Sequence, residues 1–89
     1  MAQVQGREIT TLYQAVVCSR LRVEQARGEL VEALGDWLCG SGTPPGVREI
    51  ESLALLTAAQ EEAEAEYARH IAVLSNALVA RLRRSRTHL

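Results

Sequence analysis

The sequence predicts an all-α protein, an antiparallel two-helix hairpin that a dimer or a partner protein completes. Two observations carry this prediction. The stretch 39–46, Cys-Gly-Ser-Gly-Thr-Pro-Pro-Gly, holds three of the six glycines and both prolines, residues that end one helix and begin another. Apolar residues recur at helical spacing on both sides of it. The chain is therefore one domain, 1–89, with helix 1 at about 7–39, a turn at 40–46 and helix 2 at about 47–84.

Helix 1 carries an apolar residue at every seventh position. The series is Ile9, Val16, Val23, Leu30 and Trp37, and the positions three or four further on hold Leu12, Tyr13, Ala26, Ala33 and Leu34. This spacing predicts an apolar seam along the whole helix. We expect fraying up to Gly6, and a close approach or slight bend at Gly28 and Gly35, each costing about 1 kcal/mol relative to Ala. The helix should end near 38–40, where Gly40 suits the left-handed cap.

Helix 2 should begin at the two prolines, because a first-turn position needs no amide donor, with Thr43 as a candidate cap. Its predicted seam is Leu53, Leu56, Gln60, Ala63, Tyr67, Ile71, Leu74, Leu78 and Leu82. Glu49 and Glu51 near its start and the arginine cluster at 81–86 near its end complement the helix dipole. The tail 87–89 is expected to be disordered.

The antiparallel pairing follows from the order of charges along the chain. We expect residues whose numbers add up to about 85 to lie opposite each other. Trp37 then lies near 47–50. The same pairing sets Arg20, Arg22 and Arg27 against an acidic block. The acidic block consists of Glu61, Glu62, Glu64 and Glu66. Such surface pairs contribute only about 0–1 kcal/mol each, but their opposed order supports this alignment.

The sequence offers no pattern typical of catalysis or metal binding. His70, His88, Cys18 and Cys39 are the only soft metal ligands, and no two have the short spacing of a zinc site. Cys18 should lie level with His70, but no third group that would orient a Cys/His nucleophile is identifiable. The glutamates at 61–66 alternate with alanine and are typical of a solvated helix face. We therefore expect a non-enzymatic protein with structural thiols, no cofactor and no metal.

Composition favours a reduced cytoplasmic setting. A net charge of −1 gives no global attraction to nucleic acid or to anionic lipid. Residues 1–8 lack the apolar core of a secretory signal, and the longest apolar run, 71–80, spans about half a bilayer. Cys18 and Cys39 would lie about 30 Å apart on one helix, too far for a disulfide within the chain. All ten basic residues are arginine, which suggests a GC-rich bacterial source.

Apolar residues spread beyond the two seams and predict a protein-binding surface at the open end of the hairpin. Its residues are Leu12, Tyr13, Val16, Val17, Ile71, Leu74, Leu78 and Leu82. Two helices cannot bury this much apolar area against each other, and such a surplus marks an interface. The occupant is left open between another helical protein, docked helix-in-groove, and a second copy in a four-helix bundle. The arginines at 81–86 are read as a cap, with contact to nucleic acid or lipid headgroups as the lesser alternative.

The chain resembles the small E-type co-chaperones of bacterial type III secretion, the YscE, EscE and SsaE group. The resemblance covers about residues 20–80 and lies in the size, the Arg-bearing first helix, the Gly/Pro turn, and three stretches of helix 2. These stretches are 55–64 (Leu-Leu-Thr-Ala-Ala-Gln-Glu-Glu-Ala-Glu), 67–70 (Tyr-Ala-Arg-His) and 75–79 (Ser-Asn-Ala-Leu-Val). It implies a cytoplasmic hairpin that joins a helical-repeat chaperone to hold the needle subunit unpolymerised.

Two other families give the alternative of a self-assembling structural or secreted hairpin. Residues 28–34, Gly-Glu-Leu-Val-Glu-Ala-Leu, resemble the needle subunits, although the Asn and Lys residues of the needle's second helix are missing. Residues 37–42 resemble the Trp-x-Gly turn of small secreted hairpins, with one extra residue between Trp37 and Gly40. The leading hypothesis remains a cytoplasmic adaptor or co-chaperone.

Overall fold

The computed structural model describes residues 2–39 and 45–87, and in them the chain forms two helices. Helix α1 is Ala2–Leu38 and helix α2 is Val47–Thr87. They pack against each other in an elongated rod of 69 × 17 × 16 Å. Ion pairs join Arg22 to Glu66 and Arg27 to Glu64, so residue numbers rise in one helix as they fall in the other. The predicted all-α antiparallel hairpin is confirmed.

The helices extend further than the sequence indicated. The expectation that residues up to Gly6 are frayed is wrong, since α1 begins at Ala2. No proline interrupts this stretch, and the Thr10 hydroxyl donates to the Gly6 carbonyl at 2.9 Å. Helix α2 runs three residues past the expected end at 84, so Thr87 belongs to the helix and not to a disordered tail. Residues 88 and 89 lie outside the described residues.

The start of α2 is capped by glycine. The amide of Ile50 donates to the Gly46 carbonyl at 3.1 Å, which is the first intrahelical bond and makes Gly46 the N-cap. Helix α2 begins at Val47, the predicted boundary, so Pro45 precedes the helix and does not occupy its first turn as expected. Most of the predicted turn, with Thr43 and Pro44 and the proposed cap Gly40, lies outside the described residues.

The seam of α1 follows the predicted heptads with two differences. The residues in alternating steps of three and four are Ile9, Leu12, Val16, Ser19, Val23, Ala26, Leu30, Ala33 and Trp37, all at least partly buried. Ser19, absent from the prediction, is only 1% exposed, and its hydroxyl donates to the Val16 carbonyl at 2.9 Å. Tyr13, placed in the seam by the sequence, is 58% exposed. The most buried position of the seam is thus occupied by a small residue.

The seam of α2 departs from the prediction after Tyr67. The partly buried series is Leu53, Leu56, Gln60, Ala63, Tyr67, His70, Leu74 and Ala77. The prediction that Ile71, Leu78 and Leu82 line the seam is wrong, because all three are exposed. In a supercoiled pair, the residues that face the partner helix are spaced by 3.5 positions on average. The predicted seam instead took two consecutive steps of four at 63–67–71, and again at 74–78–82.

The pairing of the two helices matches the predicted alignment. Ile9 and Ala77 line one small cavity at the open end of the hairpin. At the turn end, a cavity of about 280 Å³ is lined by Trp37, Arg48 and Glu49. Trp37 therefore lies beside the start of α2 as expected.

The interior of the hairpin is thin. Within the described ranges, Val23, at 4% exposure, is the one buried hydrophobic side chain. A Cβ added at Gly28 or Gly35 would meet nothing within 4 Å, so the predicted close approach at these glycines is wrong. The helix continues through both of them. The packing that holds α1 to α2 is therefore a single narrow line of side chains.

Candidate protein-binding surface

Two interhelical ion pairs mark the two flat faces of the hairpin. The Arg22 guanidinium donates to the Glu66 carboxylate at 2.8 Å, and Arg27 pairs with Glu64. Arg22 and Arg27 are five residues apart, which places them on opposite sides of the α1 seam. Arg20 was also expected to reach the acidic block; it instead pairs with Glu24 of its own helix, at 3.3 Å. We call the two sides the Arg27–Glu64 face and the Arg22–Glu66 face.

Positions seven apart in a supercoiled pair lie on the same side of their helix. The Arg27–Glu64 face therefore includes residues 13, 20 and 34 of α1 and residues 50, 57, 71 and 78 of α2. The residues four positions after these lie beside them, on the outer rim of the same face. The Arg22–Glu66 face is built on the heptad positions of Arg22 and Glu66, and its outer rim consists of the residues four positions before these.

Exposed apolar side chains are concentrated on the Arg27–Glu64 face. Thirteen large hydrophobic residues of the described chain are exposed, and by heptad position nine of them belong to this face. The nine are Tyr13, Val17, Val31, Leu38, Val47, Ile50, Ile71, Leu78 and Leu82. The other face holds Leu55 and Val73, and the backs of the helices hold Leu21 and Val79. One side of the hairpin is therefore apolar and the other is not.

The structure divides the predicted binding residues into two groups. Leu12, Val16 and Leu74 are half-buried in the seam, where they hold the helices together. Tyr13, Val17, Ile71, Leu78 and Leu82 are exposed and lie together on the Arg27–Glu64 face near the open end.

Four residues of the same face at the turn end were missed by the sequence reasoning. They are Val31, Leu38, Val47 and Ile50, which are 54–86% exposed. Their signal was present in the sequence, because each shares a heptad position with residues of the open end.

The charged groups between the apolar ends form a polar middle. The Arg27–Glu64 pair lies there, with Arg20 and Glu24 beside it on α1. On the opposite face, Glu66 accepts from Arg22 and lies 3.6 Å from Nε2 of His70. Both ion pairs join the two helices, one on each side of the seam.

The described residues contain no group of three or more His, Cys, Asp and Glu side chains that could hold a metal ion. Cys18 and Cys39 are exposed free thiols, whereas His70 is a half-buried seam residue whose neighbour is Glu66. The side chains thus offer contact surface and ion pairs.

Neither helix, over the residues that the structure describes, has a segment long and apolar enough to cross a membrane. In the comparisons with known proteins, no family model, no curated protein and no solved structure matches the chain.

Proposed function

We propose that the chain is a non-enzymatic adaptor or co-chaperone that binds another helical protein through the Arg27–Glu64 face. The observation that supports this most is the one-sided distribution of its exposed apolar residues, nine of thirteen on one face. Exposed apolar area of this extent on one face is costly to leave in water. A partner that covers it removes that cost.

The open end of the face is the centre of the proposed contact. Tyr13, at 58% exposure, and Leu78, at 45%, lie on adjacent helices and leave much of their apolar area in water. Complete burial of a large apolar side chain contributes about 1.5–3 kcal/mol, so these half-exposed residues contribute about 1 kcal/mol each. Tyr also supplies rigid contact area of the kind found at binding hot spots. A partner helix laid between α1 and α2 would contact both.

The most concrete form of this proposal is a cytoplasmic co-chaperone of a bacterial type III secretion needle subunit. Its support is the resemblance carried by the stretches 55–64, 67–70 and 75–79, all of which lie on α2. The partners would then be a helical-repeat chaperone and the needle subunit. Holding an aggregation-prone subunit requires contact surface and no chemistry, which fits the side chains present.

The test exchanges one residue of the face for a carboxylate. Leu78→Glu should abolish co-purification with the partner, because the added charge would have to be desolvated at the contact. Ala65→Glu is the matched control, since Ala65 is exposed on the back of the same helix and should retain the partner. The candidates are a needle subunit and a helical-repeat chaperone encoded beside this gene, and circular dichroism checks that both variants remain helical.

Two results would contradict the proposal. One is a helical Leu78→Glu chain that retains its partner while Ala65→Glu loses it. The other is a chain that captures neither candidate and polymerises alone, which would favour the self-assembling structural or secreted hairpin.

A further inference from the structure

We propose that, in the absence of another partner, a second copy of this chain covers the Arg27–Glu64 face. The two copies stack face to face with turn over turn, about a twofold axis parallel to the helices. The result is a four-helix bundle closed by one self-complementary contact. This inference concerns the chain alone and does not require the proposed co-chaperone partner.

The elongated single chain exposes more surface than a compact chain of its mass. The chain exposes 7251 Å², whereas a compact monomer of 9.8 kDa exposes about 5,200 Å². The excess of about 2,000 Å² exceeds the roughly 800 Å² that each partner buries in a standard interface. A face-to-face contact between two rods of this length therefore has the area that a stable dimer needs.

The layout of the face argues for a second copy as the occupant. Its two ends are apolar, with Tyr13, Val17, Ile71 and Leu78 at the open end and Val31, Leu38, Val47 and Ile50 at the turn end. The middle is charged, and the charges differ between the helices. On α1 it holds Arg20, Glu24 and Arg27, and on α2 it holds Glu61 and Glu64. The middle of α1 is thus net positive and that of α2 is net negative.

Stacking turn over turn matches all three zones at once. A twofold axis parallel to the helices places α1 of each copy on α2 of the other at the same level. Tyr13 and Val17 then lie against the region of Ile71 in the second copy, so apolar area meets apolar area. In the middle, Arg20 and Arg27 lie against the glutamates of α2 in the second copy, which adds favourable charge contacts.

The reverse stacking, turn over open end, does not fit. It would place α1 on α1 and α2 on α2. Arg20 and Arg27 would then meet the same arginines of the second copy, and Glu61 and Glu64 would meet the same glutamates. Like charges juxtaposed in an interface disfavour the complex. The charge order therefore selects the turn-over-turn arrangement.

Sedimentation equilibrium and disulfide trapping test this inference. The chain alone should have twice the monomer mass of 9.8 kDa. For trapping, Cys18 and Cys39 are changed to Ser, and cysteines are placed at Thr10 and Ser75, two exposed rim positions of the Arg27–Glu64 face. Within one chain they lie on the outer sides of helices whose axes are about 8–10 Å apart, beyond disulfide reach. In the dimer Thr10 of one copy lies opposite Ser75 of the other.

Mild oxidation of Thr10→Cys/Ser75→Cys should therefore give a covalent dimer. The control is Thr11→Cys/Asn76→Cys, which moves each thiol one residue along to the rim of the Arg22–Glu66 face. This control should give at least tenfold less covalent dimer. A monomer at all concentrations, or equal or absent trapping for both pairs, overturns the inference. A monomer that still binds the needle subunit would leave the proposed function intact, and a dimer that binds no candidate would contradict only that function.

Discussion

The seam between the helices and the Arg27–Glu64 face differ in the side chains that they hold. The seam includes small or polar residues among its large ones, namely Ser19, Ala26, Gln60, His70 and Ala77. The face beside it carries large apolar residues, which remain 39–58% exposed at the open end. In a self-sufficient small domain the larger residues would be inside. The difference indicates that the seam holds the two helices together and that the face is the surface that contacts a partner.

Small seam residues also explain how the helices pair without a large core. Ser19 is 1% exposed because the neighbouring helix lies close to it, and its hydroxyl is satisfied by its own helix. Close packing of this kind leaves no room inside for Ile71 or Leu78. These side chains are therefore held on the outside by the geometry of the seam.

The largest stability effect should come from filling the seam. Ser19→Leu adds a branched side chain where the helices approach each other, and overpacking of this kind costs about 1–3 kcal/mol. Urea unfolding at fixed protein concentration measures the loss. Gln14→Leu, on the exposed back of α1, is the control and should change the free energy of unfolding by less than about 0.5 kcal/mol. A more stable Ser19→Leu protein would show that the seam is loosely packed and would remove the contrast with the face.

A smaller, stabilising effect is expected from changes at Gly28 and Gly35 on the back of α1. A Cβ added at Gly28 or Gly35 meets nothing within 4 Å, and Ala is favoured over Gly inside a helix by about 1 kcal/mol. Each Gly→Ala change should therefore raise the free energy of unfolding by about that amount and leave association unchanged. If Gly28→Ala weakens association instead, the back of α1 also contacts a partner, and the binding surface is wider than one face.

The sequence was sufficient to predict the hairpin, the antiparallel pairing and the start of α2. The turn residues and the heptads of α1 carry that information directly. Two of the three expected arginine contacts with the acidic block are confirmed, those of Arg22 and Arg27. The failure at Arg20 is local, because Glu24, one turn away on the same helix, is an equally good partner.

The C-terminal half of the α2 seam, after Tyr67, could not be predicted by choosing the most hydrophobic residue three or four positions further on. That rule selects Ile71 and Leu78, whereas continuous heptads from Tyr67 place His70 and Ala77 inside. Supercoil geometry decides between the two, because a rigid helix pair keeps its spacing even where the inward residue is small or polar. The same rule explains why the sequence found the exposed residues of the open end but assigned the three exposed leucine and isoleucine residues of α2, Ile71, Leu78 and Leu82, to the seam.

The central claim is that association uses the Arg27–Glu64 face. Ile71→Glu and Val73→Glu test it most directly, because the two residues are nearly adjacent on α2 and similarly exposed, at 39% and 50%, yet lie on opposite faces. Analytical ultracentrifugation of the chain alone and with its partner measures association, and circular dichroism confirms that both variants are helical. We predict at least a tenfold weaker complex for Ile71→Glu and wild-type association for Val73→Glu. Wild-type association of a helical Ile71→Glu chain, together with a loss for Val73→Glu, would contradict the account.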